Sequence, residues 1–262
     1  CGSIFSMMTK IFKDKKEPLY NRQTRFMSIK PFTPAVLKEI MAEYNPNYTS
    51  EDLLALYSFT GGVAKYVQLL VDAGATTKTK MLNHIIKADS VFLGEGKAIL
   101  IEEFGKDYGV YFSILSAIAR GKTLRSEIEQ IVGREIGGYL TKLEKEYEVI
   151  TKNQPIFEKS STKNVRYTIE DNFFTFWFRF IYKYNYMLEI ENYDAVKTII
   201  NRDYETFSGK MLERYFKRVL MESKAYTRIG SWWDRKGENE IDIVAENELN
   251  DEATFIEVKR KE

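Results

Sequence analysis

Residues 171–188 read DNFFTFWFRFIYKYNYML, an aromatic run that few arrangements can accommodate. So many rings cannot be left in water without a large apolar cost. The run predicts a helix whose rings pack between the units on either side of it. A base-stacking platform is the other use of such rings.

The text before the run is helical. Ile4, Met7, Met8, Ile11 and Phe12 form one short pattern, followed by the loop KKEPLYNRQTRFMSIKPF. Residues 1–30 hold seven Lys and Arg against two acids. A solvated face is the ordinary meaning of such a run. Pro31 and Pro34 mark a break, and Thr33 can cap a helix beginning at Pro34. Val36, Leu37, Ile40 and Met41 share one face of that helix. Thr49-Ser50-Glu51-Asp52 starts a second helix, Gly61-Gly62 ends it, and a third begins near Val63. Residues 33–105 are therefore expected to be a small helical domain.

Residues 106–172 change character. A helix over 111–119 ends at Gly121, and Thr123 is positioned to cap a second over 124–132. Gly133 turns the chain into a third helix over about 135–146. Two strand-like pieces follow, 149–150 and 165–169, joined by a polar stretch. Three helices and a hairpin are the order of a winged helix-turn-helix. Residues 120–166 carry ten basic and seven acidic side chains. Basic residues supply the phosphate contacts of DNA binding. In that mode Arg134 and Lys142 face the groove from the third helix, and Lys159, Lys163 and Arg166 lie on the wing. A winged helix used for protein docking is the alternative.

After the aromatic run the chain predicts a helix over 207–223 and strands over 226–229, 240–245 and 254–259. Side chains alternate along a strand, so Glu257 and Lys259 share a face. If the last two strands pair, Asp242 lies beside Glu257. Two carboxylates on one face suit a hard cation such as Mg²⁺, and a nearby lysine can orient water or neutralise a phosphate.

Composition excludes several other chemistries. The chain of 262 residues has one His and one Cys, so neither a disulfide framework nor an internal zinc cluster can be built from it. A Ser-His-Asp or Cys-His site would rest on His84 alone. A lone cysteine suits a reducing cytoplasm. No stretch approaches the roughly 18 apolar residues of a membrane helix. The formal net charge of +1 conceals local bias, since 39 basic side chains nearly cancel 38 acids. Residues 205–262 alone have 11 bases and 13 acids.

The helix carrying Glu213, then NEIDIVA with Asp242, then FIEVKR with Glu257 and Lys259, resembles the PD-(D/E)XK nuclease superfamily. That resemblance implies catalytic roles for Glu213, Asp242, Glu257 and Lys259, with Asp242 and Glu257 as metal ligands. Its core continues with a further helix and strand that do not follow here, so the unit is expected to be incomplete.

The opening CGS, then PLYNRQTRFMSIKPF, TGGVAKYVQLL and EIDIVA…IEVKR occur in an order that resembles the C-terminal part of prokaryotic archaeal-type ATPases of the AAA+/STAND class, with a fused nuclease-like domain. This implies a mainly α fold with an α/β end. Residues 1–32 would be the tail of the ATPase core, 33–105 its helical lid, 106–172 a winged helix and 173–262 the connecting helix and nuclease-like domain. Ser3, Arg22, Arg25 and Lys65 match nucleotide-sensing positions. The chain has no G-x-x-x-x-G-K-[ST], so ATP is expected only in a longer protein. DNA is the expected partner, with self-association through the ATPase core and no membrane. The competing expectation is a regulatory or protein-interaction arm of a STAND-type switch without nuclease activity.

Overall fold

A computed structural model describes residues 15–22, 24, 25, 27, 29–159 and 162–260. The helix expected around Ile4–Phe12, and Ser3, lie outside them.

The first unit is five helices: α1 (Pro34–Tyr44), α2 (Ser50–Thr60), α3 (Ala64–Asp72), α4 (Lys78–Ile85) and α5 (Val91–Phe104). The expected punctuation sets their ends. Thr33 accepts from the Val36 N–H at 3.3 Å, and Pro34 needs no donor in the first turn. Thr49 and Asp52 form a reciprocal capping box. Gly61 stops α2 in the left-handed region at φ 60°.

The second unit has α6 (Tyr108–Ala119), α7 (Arg125–Val132), α8 (Gly137–Lys145) and a hairpin of β1 (Ile150–Asn153) and β2 (Arg166–Ile169). The strands pair antiparallel with Ile150 opposite Ile169. Two boundaries differ from expectation. Thr123 does not cap α7, because its carbonyl accepts from the Tyr167 N–H at 2.8 Å and ties it to β2. The Glu127 carboxylate instead accepts from the Leu124 N–H. The third helix starts at Gly137 because Glu135 is drawn into an ion pair with Arg125 and Glu129 holds the Ile136 N–H.

The aromatic run joins these units as α9 (Asn172–Phe176), a π-helical turn (Trp177–Tyr182) and α10 (Asn185–Glu189). Asp171 caps α9 through the Phe174 N–H at 3.0 Å. The rings reach both ways. Phe173 lies 4.2 Å from Tyr66 and Phe176 4.8 Å from Phe59, while Phe178 meets Phe112 at 5.3 Å. Trp177 donates its indole N–H to the Leu93 carbonyl at 3.1 Å. One continuous apolar core runs from Leu37 to Met211, with this segment inside it. Phe173, Phe176, Trp177, Phe178 and Phe180 are core rather than a base-stacking surface, and Tyr186 is exposed.

The remainder is α11 (Tyr193–Ser223) and an antiparallel meander of β3 (Arg228–Trp233), β4 (Glu240–Asn247) and β5 (Glu252–Ile256). At 31 residues α11 begins well before the expected start, where Asn192 accepts from the Ala195 N–H. Its length is about 46 Å at 1.5 Å per residue, enough to serve both the shared core and the sheet. The β4–β5 register sets Ile243 opposite Ile256 and Val244 opposite Phe255. Pairing stops at Ile256 rather than at Lys259. There the Asp242 carboxylate, not a β4 carbonyl, takes the Val258 N–H at 2.8 Å. Among the described residues no helix is long and apolar enough to cross a membrane.

Candidate functional site

The expected acids are carried on three different elements. Glu213 is carried on α11, Asp242 on β4, and Glu257 just beyond β5. The β4–β5 ladder ends with Ile243 opposite Ile256, so Asp242 and Glu257 are the next residues beyond it on their two chains. Burial pushes the Glu213 carboxyl up to about 7, and the negative charges of Asp242 and Glu240 add to the effect. Glu213 therefore lies within electrostatic reach of β4, as the order of elements suggested. Glu257 and Lys259 are exposed, while Val258 and Arg260 turn inward, which is the expected alternation.

This region does not form a cation cage. One Asp242 oxygen is committed to the Val258 N–H, and burial pushes the Glu213 carboxyl up to about 7. Among the described residues no group of three His, Cys, Asp or Glu side chains is placed to hold a metal ion. As arranged, the described donors do not fit a bound Mg²⁺.

The basic residues of the second unit divide into two sets. Arg125 is held by Glu129 at 2.7 Å and Glu135 at 3.0 Å, and Lys122 pairs with Glu127 at 3.2 Å. Arg134 and Lys142, on and just before α8, are exposed and form no ion pair among the described residues. Arg134 lies over the Tyr139 ring at 5.6 Å. Lys142 borders a shallow cleft with Tyr111, Gly137, Gly138 and Tyr139. Lys159 and Lys163 are likewise exposed in the β1–β2 connection.

Arg166 differs. It pairs with Glu240 at 2.9 Å and stacks on the Trp233 ring at 4.5 Å. The hairpin is docked on the C-terminal sheet. Ile156 donates its N–H to the Ser231 carbonyl at 2.8 Å, and Trp233 donates its indole N–H to Asn164 at 2.9 Å. The expected wing face at Arg166 is thus turned toward protein.

The nucleotide-sensing candidates do not converge on a site in the described residues. Arg22 and Arg25 are exposed. Lys65 pairs with Glu95 at 2.6 Å, bridging α3 to α5.

Sequence reasoning passed over Asn172, Arg214, Lys217 and Arg260. Arg214 donates to the Asn172 side chain at 2.9 Å, and Asn172 donates to the Tyr57 carbonyl at 3.3 Å. Burial draws Arg214 and Lys217 below their ordinary ranges. The available signal was their place one helical turn apart on α11, beside Glu213. Nothing local in the sequence marked Asn172 as their neighbour.

Residues 177–262 match a family described as archaeal and bacterial proteins of unknown function (DUF234). The chain is also 33% identical, over 276 aligned positions, to the uncharacterized protein MJECL04 of Methanocaldococcus jannaschii. That alignment covers 100% of this chain and 59% of the relative, so the chain spans little more than half of the relative's length. No solved structure matches the chain.

Proposed function

We propose that this chain is a DNA-binding C-terminal arm of an ATP-binding prokaryotic protein. In this reading α6 to β2 are a winged helix, and α8 approaches the duplex. The helices before it are the lid of a AAA+/STAND-class ATPase, which binds ATP and self-associates through a core outside this chain. The unit from α11 to β5, a helix and three strands, follows the opening order of a PD-(D/E)XK core and serves as a scaffold beside the DNA-binding unit.

The observation that carries the reading is the partition of charge around α8. Internal ion pairs engage Arg125 and Lys122, while Arg134, Lys142, Lys159 and Lys163 are exposed and form no ion pair among the described residues. Cations left in water beside a helix and a hairpin are suited to displacing counterions from phosphates. The test is binding of a short fluorescent duplex at low salt. Saturable binding that weakens steeply with added salt supports the reading. Absence of binding at low salt refutes it and leaves the hairpin-docked arrangement as a protein-interaction arm.

A further inference from the structure

Glu213, Arg214 and Lys217 lie within one turn of α11, where the helix passes the junction of β2 and α9. Arg214 and Lys217 are three positions apart, so their side chains lie on neighbouring parts of one face. Both are partly buried. A desolvated cation ordinarily has a carboxylate within ion-pair reach. Here neither has one among the described residues: Arg214 has a single neutral partner, the Asn172 side chain at 2.9 Å, and Lys217 has none. Their neighbour Arg218 does pair, with Glu222 at 3.0 Å.

The acids that surround the pair compensate it poorly. Glu170 accepts from the Thr151 hydroxyl at 2.7 Å. Asp171 caps α9, and burial pushes its carboxyl up to about 6. Glu213 is pushed up to about 7. None of these three carboxyls forms an ion pair with Arg214 or Lys217 among the described residues. The guanidinium is also fixed in place. Asn172 is held at its amide end by the Tyr57 carbonyl and presents its oxygen to Arg214. An oriented guanidinium beside an ammonium that has no carboxylate partner is a pairing suited to a tetrahedral oxyanion.

We infer that Arg214 and Lys217 form an anion subsite for a phosphate group. Resting on the DNA-binding reading above, that group is a phosphodiester of the bound backbone. The duplex would then extend from α8 past the β2–α9 junction to α11, making the C-terminal unit part of the binding surface.

The test compares the whole chain with Lys217→Gln, which keeps most of the side-chain stem. Thermal melts establish that the variant is folded, and Arg214→Lys is the second variant. Duplex binding is measured by anisotropy across a salt series. One lost phosphate contact should lower the log–log salt slope by about 1. In a second arm, inorganic phosphate replaces chloride at matched ionic strength. It should weaken duplex binding by wild type more than by Lys217→Gln. Wild-type binding with an unchanged slope in both variants overturns the subsite while leaving DNA binding intact. If wild type binds no DNA, the functional reading fails and takes the backbone assignment with it. A phosphate-induced rise in melting temperature, absent in Lys217→Gln, would then assign the same subsite to a free phosphate compound.

Discussion

Arg260 and Glu51 form an ion pair at 2.7 Å across a separation of 209 residues. Arg260 also donates to the Ser208 hydroxyl and lies 5.5 Å from the centre of the Tyr204 ring. Lys78 contacts the same ring at 4.6 Å and pairs with Glu51 at 3.5 Å. The segment carrying Glu257 and Lys259 is therefore fastened to α2, α4 and α11. Because both charged side chains keep some solvent access, Arg260→Ala should cost only about 1–2 kcal/mol in urea unfolding. It should also speed amide exchange beyond Ile256 with little change in β4.

Glu213 gives the protein a specific pH dependence. Its folded carboxyl titrates near 7 against an ordinary value of 4.5, so folding favours the protonated form. That contribution is fully present below about pH 4.5 and is lost as pH rises through about 7. Glu213→Gln removes the titration. The variant should gain on wild type by about 2 kcal/mol between about pH 5 and about pH 8 in urea melts. A constant difference at both pH values would contradict the burial of this carboxyl.

Gly96 packs against the Trp177 ring, and a methyl group there would overlap the indole carbons. The backbone is helical and Trp177 is fixed by its bond to Leu93, so neither side can yield easily. Gly96→Ala should destabilise the fold by about 1–3 kcal/mol despite alanine's better helix propensity. Gly94, in the same helix with open space at its Cβ, is the control. Gly94→Ala should be neutral or mildly stabilising in the same melts.

Asn164 holds the hairpin to the C-terminal sheet through the Trp233 indole. Asn164→Ala leaves that donor without its partner at a cost of about 1–3 kcal/mol. The change should raise exchange rates in β1, β2 and β3 and shift tryptophan emission. Exchange in α1–α4 should be unaffected.

Much of this architecture was legible in local signals. Thr33, Thr49 and Gly61 punctuate helices wherever they occur in such settings, and the aromatic run had no stable place but a core. The order helix–strand–strand–strand at the end was also readable. Long-range choices were not. Thr123 looked like a cap because its side chain suits one, but its carbonyl was needed by Tyr167, 44 positions away. Arg166 looked like a wing residue because nothing nearby in sequence reveals Glu240 and Trp233. Asp242 looked like a free ligand until the Val258 N–H was found on it. In each case a contact distant in sequence outweighed a local preference.

The most direct test concerns the exposed cations around α8. Duplex binding by wild type and by an Arg134→Ala, Lys142→Ala double variant should be measured across a salt series. Wild type should show a steep salt dependence and the variant a slope lower by about 2, with its melting temperature nearly unchanged. Equal affinity and equal slope in the two proteins would contradict DNA binding through this face.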